Sequence, residues 1–192
     1  MRINKYLALH KYASRREADK LIEAGRVYIN GTRAVLGSAV MDGDAVEVKG
    51  DLKKHRYFAY HKPRDIITHS PQGDEVSIQD VVNLKHVFPM GRLDKESSGL
   101  IVLTDDGRIT DALLNPKNEH EKEYEVTTVD ELPNDFKRKM ERGVDIGDYT
   151  TKPCRVEILG KRAFSITLTE GKNRQIRRMC GAFGVSVTEL KR

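Results

Sequence analysis

Two cysteines in 192 residues, with no Cys-x-x-Cys pair around either, leave no basis for a disulfide- or zinc-built fold. Cys154 and Cys180 fit ordinary thiols in a reducing cytoplasm. No apolar run approaches the ~20 residues of a membrane-spanning helix, so no membrane partner is expected. The first residues, Met1-Arg2-Ile3-Asn4-Lys5, lack the apolar core of a secretory signal, and a cytoplasmic location is expected. There is no histidine cluster, no Walker loop, no glycine-rich nucleotide loop and no set of carboxylates at metal-ligand spacing. No cofactor and no metal are therefore expected, and a nuclease or methyltransferase lacks its usual signals. Internal repeats and low-complexity tracts are missing too.

What the chain does have is charge in a particular place. Residues 1–33 hold eight basic and three acidic residues, a net of +5. Residues 34–50 hold one basic and three acidic, and 51–56 three basic and one acidic. From 57 to 192 the two signs balance at 22 each. A neutral body behind a basic headpiece suggests a polyanion-binding module joined to a second domain. The length allows one or two domains.

The headpiece reads as a compact unit. Ile3, Tyr6 and Leu7 form a short helical stripe. Ser14 with Glu17 three residues on is a capping-box pattern, Ala18, Leu21 and Ile22 continue the helix, and Gly25 stops it. Val27-Tyr28-Ile29 is strand-like, and Asn30-Gly31 is a strong hairpin turn. Asp42-Gly43-Asp44 turns the chain into a strand at 45–48. Arg15, Arg16 and Lys20 lie along one helix, where Arg2, Lys5 and Lys11 can join them in contacting successive phosphates. A solvated charged face would carry the same residues.

Residues 51–56 read as a polar, mobile linker. Beyond it, strands are expected at 56–61, 100–104, 123–129, 155–159 and 164–169, the last two as a hairpin. Ser77 caps a short helix with Val81 and Val82 inside. Asp106-Gly107 is a turn before 108–114, and helices are also expected at 134–142 between Pro133 and Gly143 and at 174–183, where Ile176, Met179 and Cys180 share a face.

Gly91-Arg92-Leu93-Asp94-Lys95-Glu96-Ser97-Ser98-Gly99, followed by an apolar strand, resembles the catalytic loop of the RNA pseudouridine synthases, in particular the ribosomal-RNA branch. Three further segments share the resemblance: His61-Lys62-Pro63, the Lys-x-Tyr of Lys122-Glu123-Tyr124, and Gly171-Lys172-Asn173-Arg174-Gln175-Ile176-Arg177-Arg178-Met179. The headpiece is similar to a small RNA-binding domain named after a small-subunit ribosomal protein. Its matching elements include Arg2-x-x-Lys5-Tyr6-Leu7, Ser14-Arg15-Arg16-Glu17-Ala18 and Gly43-Asp44-x-Val46. Where the family has a glycine two residues after the Lys-Pro proline, this chain has Asp65, a residue that also tolerates left-handed backbone. The family continues past the segment matching residues 187–192, so the catalytic domain is expected to be incomplete here.

The resemblance implies an α+β protein. A small α/β RNA-binding domain (1–50) and a linker (51–56) would precede a catalytic domain (57–192) built on a mixed, largely antiparallel sheet flanked by helices. It implies an enzyme that isomerises uridine to pseudouridine in ribosomal RNA, with large-subunit RNA preferred and small-subunit RNA or a transfer-RNA anticodon loop open. Asp94 would be the nucleophile, Tyr124 would pack on the extruded base, and Arg177 would pair with Asp94. Arg92 would occupy the space the base vacates. Lys122, Lys172, Arg174 and Arg178 would contact RNA beside Arg2, Lys5, Arg15, Arg16 and Lys20. The protein is expected to be a monomer. The competing reading is a non-catalytic RNA-binding or ribosome-assembly factor, for which the combination of Asp94, Tyr124 and Arg177 has no use.

Overall fold

The computed structural model describes residues 1–51 and 53–192. Leu52, inside the expected linker, lies outside the described residues. The chain forms two compact units. One comprises Met1–Tyr57 and Thr104–Ala112, the other Phe58–Leu103 and Leu113–Arg192.

In the first unit, helix α1 (Ile3–Leu9) buries Ile3 and Leu7, and α2 (Arg15–Glu23) buries Ala18 and Ile22. The expected capping box is present: the Ser14 backbone N–H donates to the Glu17 carboxylate at 3.0 Å, and Glu17 N–H donates back to Ser14 Oγ. Three short strands follow, β1 (Val27–Ile29), β2 (Thr32–Arg33) and β3 (Val46–Val48), antiparallel in the order β2-β1-β3. Asn30 and Gly31, at φ 50° and 77°, make the tight turn between β1 and β2. The Asn30 side chain also donates to Asp44 and accepts from Ala45 N–H, tying this turn to the entry of β3.

The stretch expected to be a mobile spacer is pinned within this unit. Arg56 N–H donates to Asp105 at 2.9 Å, Lys53 Nζ lies 3.2 Å from the same carboxylate, and His55 Nδ1 lies 3.3 Å from it. The Tyr57 hydroxyl donates to Asp106, which Arg108 grips through Nε and Nη2 at 2.8 Å. The Arg108 guanidinium holds the Asp106 carboxyl far below the usual carboxylate range. Composition missed this because the anchoring carboxylates lie about fifty residues further along the chain.

The second unit contains two sheets. Strands β4 (Tyr57–Lys62), β5 (Phe88–Met90) and β6 (Gly99–Thr104) form one, in the order β4-β6-β5, with α3 (Ile78–Val81) between β4 and β5 in sequence. Ile78, Val87, Ile101 and Leu103 form its core with Phe58 and Tyr60 against them. Helix α3 is one turn long, so only Ile78 is buried; Val81 is exposed and Val82 is already extended, contrary to the expected apolar interior. The chain then returns to the first unit, where a 3₁₀ turn at Gly107–Ile109 leads into α4 (Thr110–Leu114).

The larger sheet is antiparallel throughout. It is built from β7 (Lys122–Thr128), β8 (Arg155–Gly160), β9 (Ala163–Leu168) and β10 (Val187–Lys191), in the order β10-β7-β9-β8. Helices α5 (Phe136–Glu141) and α6 (Gln175–Gly181) pack on one face of it over Val126, Phe164 and Ile166. Phe136 meets Phe164 edge-on at 5.0 Å. Gly143, at φ 90°, ends the α5 segment where a Cβ would lie 2.3 Å from the Thr151 carbonyl oxygen. Among the described residues no helix is long and apolar enough to cross a membrane.

Candidate active site

Asp94 sits on the turn between β5 and β6, and each residue around it is held by a separate contact. On its N-terminal side, Leu93 is buried and bracketed by the Thr68 hydroxyl, which donates to Leu93 C=O at 2.7 Å and accepts from Leu93 N–H at 3.0 Å. On its C-terminal side, Ser97 N–H closes the turn onto Asp94 C=O at 3.0 Å, and Lys95 C=O accepts from Asp65 N–H at 2.8 Å. Asp65 has φ 67°, the left-handed geometry its position demands.

Lys62 lies beneath this turn, completely buried. Its ammonium donates to the carbonyls of Pro63 at 2.8 Å and Ile66 at 2.5 Å, with a weaker contact to Lys95 C=O at 3.4 Å. Burial pushes the Lys62 pKa down, while the charges of Asp65 and Asp94 oppose that shift. Lys62 thus joins the end of β4 to the Asp94 turn.

The Ser-Ser-Gly element has a steric explanation. Ser98 makes a parallel bridge to Lys191, and Leu100 N–H donates to Arg192 C=O at 2.9 Å. Gly99 stands at φ 119°, where a Cβ would fall 2.2 Å from the Arg192 carbonyl oxygen and 2.5 Å from its nitrogen. Only glycine permits this approach. It joins the Asp94 turn to the edge of the larger sheet.

That junction brings Tyr124 into the neighbourhood. Ser98 is beside Lys191 of β10, and Lys191 is beside Glu125 of β7, so two strand spacings of ~4.8 Å separate the turn from the residue next to Tyr124. As the alternation requires, Lys122, Tyr124 and Val126 share the inner face of β7. Tyr124 is half-buried against the core that includes Ile176 and Met179 of α6. Lys122 Nζ donates to His120 C=O at 2.9 Å, and burial lowers its pKa.

The basic run 172–178 divides into separate roles. The buried Glu170 carboxylate accepts from Gln175 Nε2, Tyr149 Oη and Lys152 N–H, and Gln175 Oε1 accepts from Lys172 N–H. These contacts set the loop that enters α6, in which Arg174 is left-handed at φ 47°. Lys172 Nζ stands over the Tyr149 ring, 4.0 Å from its centroid. Arg178 donates to Asp148 and to Ile146 C=O, an arrangement that ties α6 to the segment before β8.

Arg174 and Arg177 converge on Glu96, two residues past Asp94. Arg174 Nη2 is 3.0 Å and Arg177 Nε 3.5 Å from Glu96 Oε2. Arg177 also donates to Val187 C=O at 3.0 Å and to Glu96 C=O at 3.4 Å. The expected Arg177–Asp94 ion pair is therefore replaced by one to Glu96, whose carboxylate the Asp94–Ser97 turn presents to α6. Among the described residues, the half-buried Asp94 carboxylate has no hydrogen bond and no ion pair. Arg92 beside it is exposed.

The headpiece cations Arg2, Lys5, Arg15, Arg16 and Lys20 are all exposed, and none has an ion-pair partner among the described residues. Burial pushes the thiols of Cys154 and Cys180 up, to about 11 and about 12, so neither is a nucleophile at neutral pH. No group of three or more His, Cys, Asp or Glu among the described residues could hold a metal. Sequence reasoning gave no role to Thr68 and Glu170, which stand in no motif, nor to Glu96, which stands inside the catalytic-loop motif beside the more conspicuous Asp94.

A rigidly held carboxylate with no hydrogen bond or ion pair, near an inward tyrosine and an arginine pair, can act as a nucleophile on a nucleotide whose flat base the tyrosine supports. The sequence matches the S4 domain over residues 1–46 and the RNA pseudouridylate synthase family over residues 56–182. It is 46% identical over 198 residues to the dual-specificity RNA pseudouridine synthase RluF of Salmonella typhi, spanning 100% of this chain and 68% of that protein. It is 38% identical to ribosomal large subunit pseudouridine synthase B of Bacillus subtilis, across 100% of this chain and 84% of that one. A crystal structure of a pseudouridylate synthase superposes at a TM-score of 0.70 and 28% identity, covering 100% of this chain and 86% of its own. A family match that takes in the Asp94 turn, β7 and α6 together, with a relative 46% identical along the whole of this chain, means that this chain belongs to the RNA pseudouridine synthase family and isomerises uridine to pseudouridine in RNA.

Proposed function

We propose that this enzyme modifies a uridine of large-subunit ribosomal RNA, in the cytoplasm, with residues 1–50 holding the RNA and residues 57–192 performing the isomerisation. The exposed, unpaired cations of α1 and α2 support the first role, since phosphate contacts confer affinity with little sequence information. The relative named for the large ribosomal subunit supports the choice of RNA. The dual specificity in the RluF name favours a second RNA class, and transfer RNA is the one to test beside it.

In the proposed reaction the target nucleotide leaves its stack. The Asp94 carboxylate attacks ribose C1′, forming an O–C1′ bond as the bond from C1′ to uracil N1 breaks and its electron pair leaves with the base. The Tyr124 ring supports the uracil while it turns. The C1′–C5 bond forms, C5 loses its proton, N1 gains one, and Asp94 is released. Atoms balance without a co-reactant.

The observation that carries this reading is the Asp94 carboxylate, without a hydrogen bond or ion pair on a turn fixed by Lys62, Thr68 and Gly99. Large-subunit RNA labelled with tritium at uridine C5 tests it. The wild-type chain should release tritium to water, and Asp94→Asn should release none while still binding RNA. Release by Asp94→Asn would remove the nucleophile role. Release from transfer RNA alone would move the substrate.

A further inference from the structure

Glu96 is out of character with its surroundings. Arg174 and Arg177 both point at one of its carboxylate oxygens, at 3.0 and 3.5 Å, and the charge of Arg64 reaches it as well. The Arg174 hydrogen bond, against the opposing effect of burial, holds the Glu96 carboxyl below its ordinary range, so it is an anion at neutral pH. Its side chain is nonetheless 48% exposed, and solvent screens exposed pairs to little net value. Arg177 is different. Its side chain is only 12% exposed, and its Nε is buried without a well-formed hydrogen bond. A buried guanidinium nitrogen facing a loosely held carboxylate is an anion site whose present occupant fits poorly.

A phosphodiester offers the same chemistry in better form. It has anionic oxygens that accept from two guanidinium groups at once, a contact arginines favour. The location suits it too, two residues from Asp94, where the sugar–phosphate backbone of an extruded nucleotide would pass.

We propose that Glu96 is a displaceable internal anion occupying a phosphate subsite formed by Arg174 and Arg177, with Arg64 at its rim, and that RNA takes its place. The subsite would hold the backbone next to the target uridine. The inference rests on the reading that the 172–178 run meets RNA.

The test measures affinity for a large-subunit ribosomal RNA transcript at low salt. It uses the wild-type chain, Glu96→Gln, Arg174→Ala and the double variant. Removing two partly exposed ion pairs that RNA must otherwise break predicts tighter binding by Glu96→Gln, about 3- to 30-fold. The gain should shrink as salt rises. Glu96→Ala should move affinity the same way, so the result does not hang on the glutamine amide. In the Arg174→Ala background the gain should fall by at least half, because half the subsite is gone. Unchanged or weaker binding by Glu96→Gln, while Arg174→Ala still weakens binding, overturns displacement and makes Glu96 a structural partner. No effect of Arg174→Ala in either background overturns the underlying reading as well.

Discussion

Replacing Thr68 with valine isolates how tightly the Asp94 turn must be held. The two side chains have nearly the same shape, so the change removes one hydroxyl and little volume. That hydroxyl is buried and serves both backbone groups of Leu93, donating at 2.7 Å and accepting at 3.0 Å. Valine can do neither, leaving one N–H and one C=O unpaired where water does not reach. At ~1–2 kcal/mol for each unmet buried group, the turn loses about 2–4 kcal/mol. For a chain of this length that corresponds to a Tm lower by roughly 4–16 °C. Thr68→Ser keeps the hydroxyl and gives up one methyl, about 1 kcal/mol, so it should recover most of the loss. Leu93 precedes Asp94 directly, so the single-turnover rate of tritium release should fall in the valine variant and return in the serine variant. Thermal unfolding and single-turnover assays on the three proteins decide it. Equal melting and equal rates for valine and wild type would refute the view that this hydroxyl clamps the turn.

Other perturbations probe other contacts. Lys62→Met should lower the isomerisation rate more than RNA affinity, because it frees the Pro63 and Ile66 carbonyls beneath the turn and leaves the exposed cations untouched; single-turnover rate and Kd measured together check this. Arg15→Ala with Arg16→Ala should flatten the log–log salt dependence of binding by about 0.7–0.9 per lost phosphate contact, read from titrations at several salt concentrations. Tyr124→Phe should bind an RNA with an unstacked uridine nearly as well as wild type, whereas Tyr124→Ala should lose ~1–3 kcal/mol, as a titration would show. At Asp105, burial pushes the carboxyl up, but Arg56 N–H, Lys53 and His55 together pull it down to about 2, from an ordinary 3.8. Its folded-state pKa is depressed, so its stabilisation is present above 3.8 and is lost as pH falls toward 2. Acid unfolding followed from pH 5 to 2 should therefore be shallower in Asp105→Asn.

Much of the fold was legible because its signals are local. The Ser14–Glu17 box, the Asn30-Gly31 turn and the period-two burial of β7 depend on residues within a few positions of one another, and all three stand where the sequence places them. Features decided by distant partners were not legible. The linker read as mobile because nothing between 51 and 56 announces Asp105 and Asp106. Strand β5 is three residues with a proline in the middle, too short and too broken for periodicity to register.

The site divides along the same line, and the division bears on how it works. Asp94, Tyr124 and Arg177 were named from motifs, and motifs record which residue types recur, not which of them touch before substrate arrives. Arginine has five donors and reaches the nearest available acceptors, here a glutamate two residues beyond Asp94 and the Val187 carbonyl. A permanent ion pair would keep the Asp94 carboxylate ionised, but it would also lower its basicity. An arginine held on Glu96 while RNA is absent leaves Asp94 unmasked, and its buried Nε keeps unused hydrogen-bonding capacity for the arriving backbone. The separation of Arg177 from Asp94 therefore fits an active site whose last electrostatic contact is completed by its substrate.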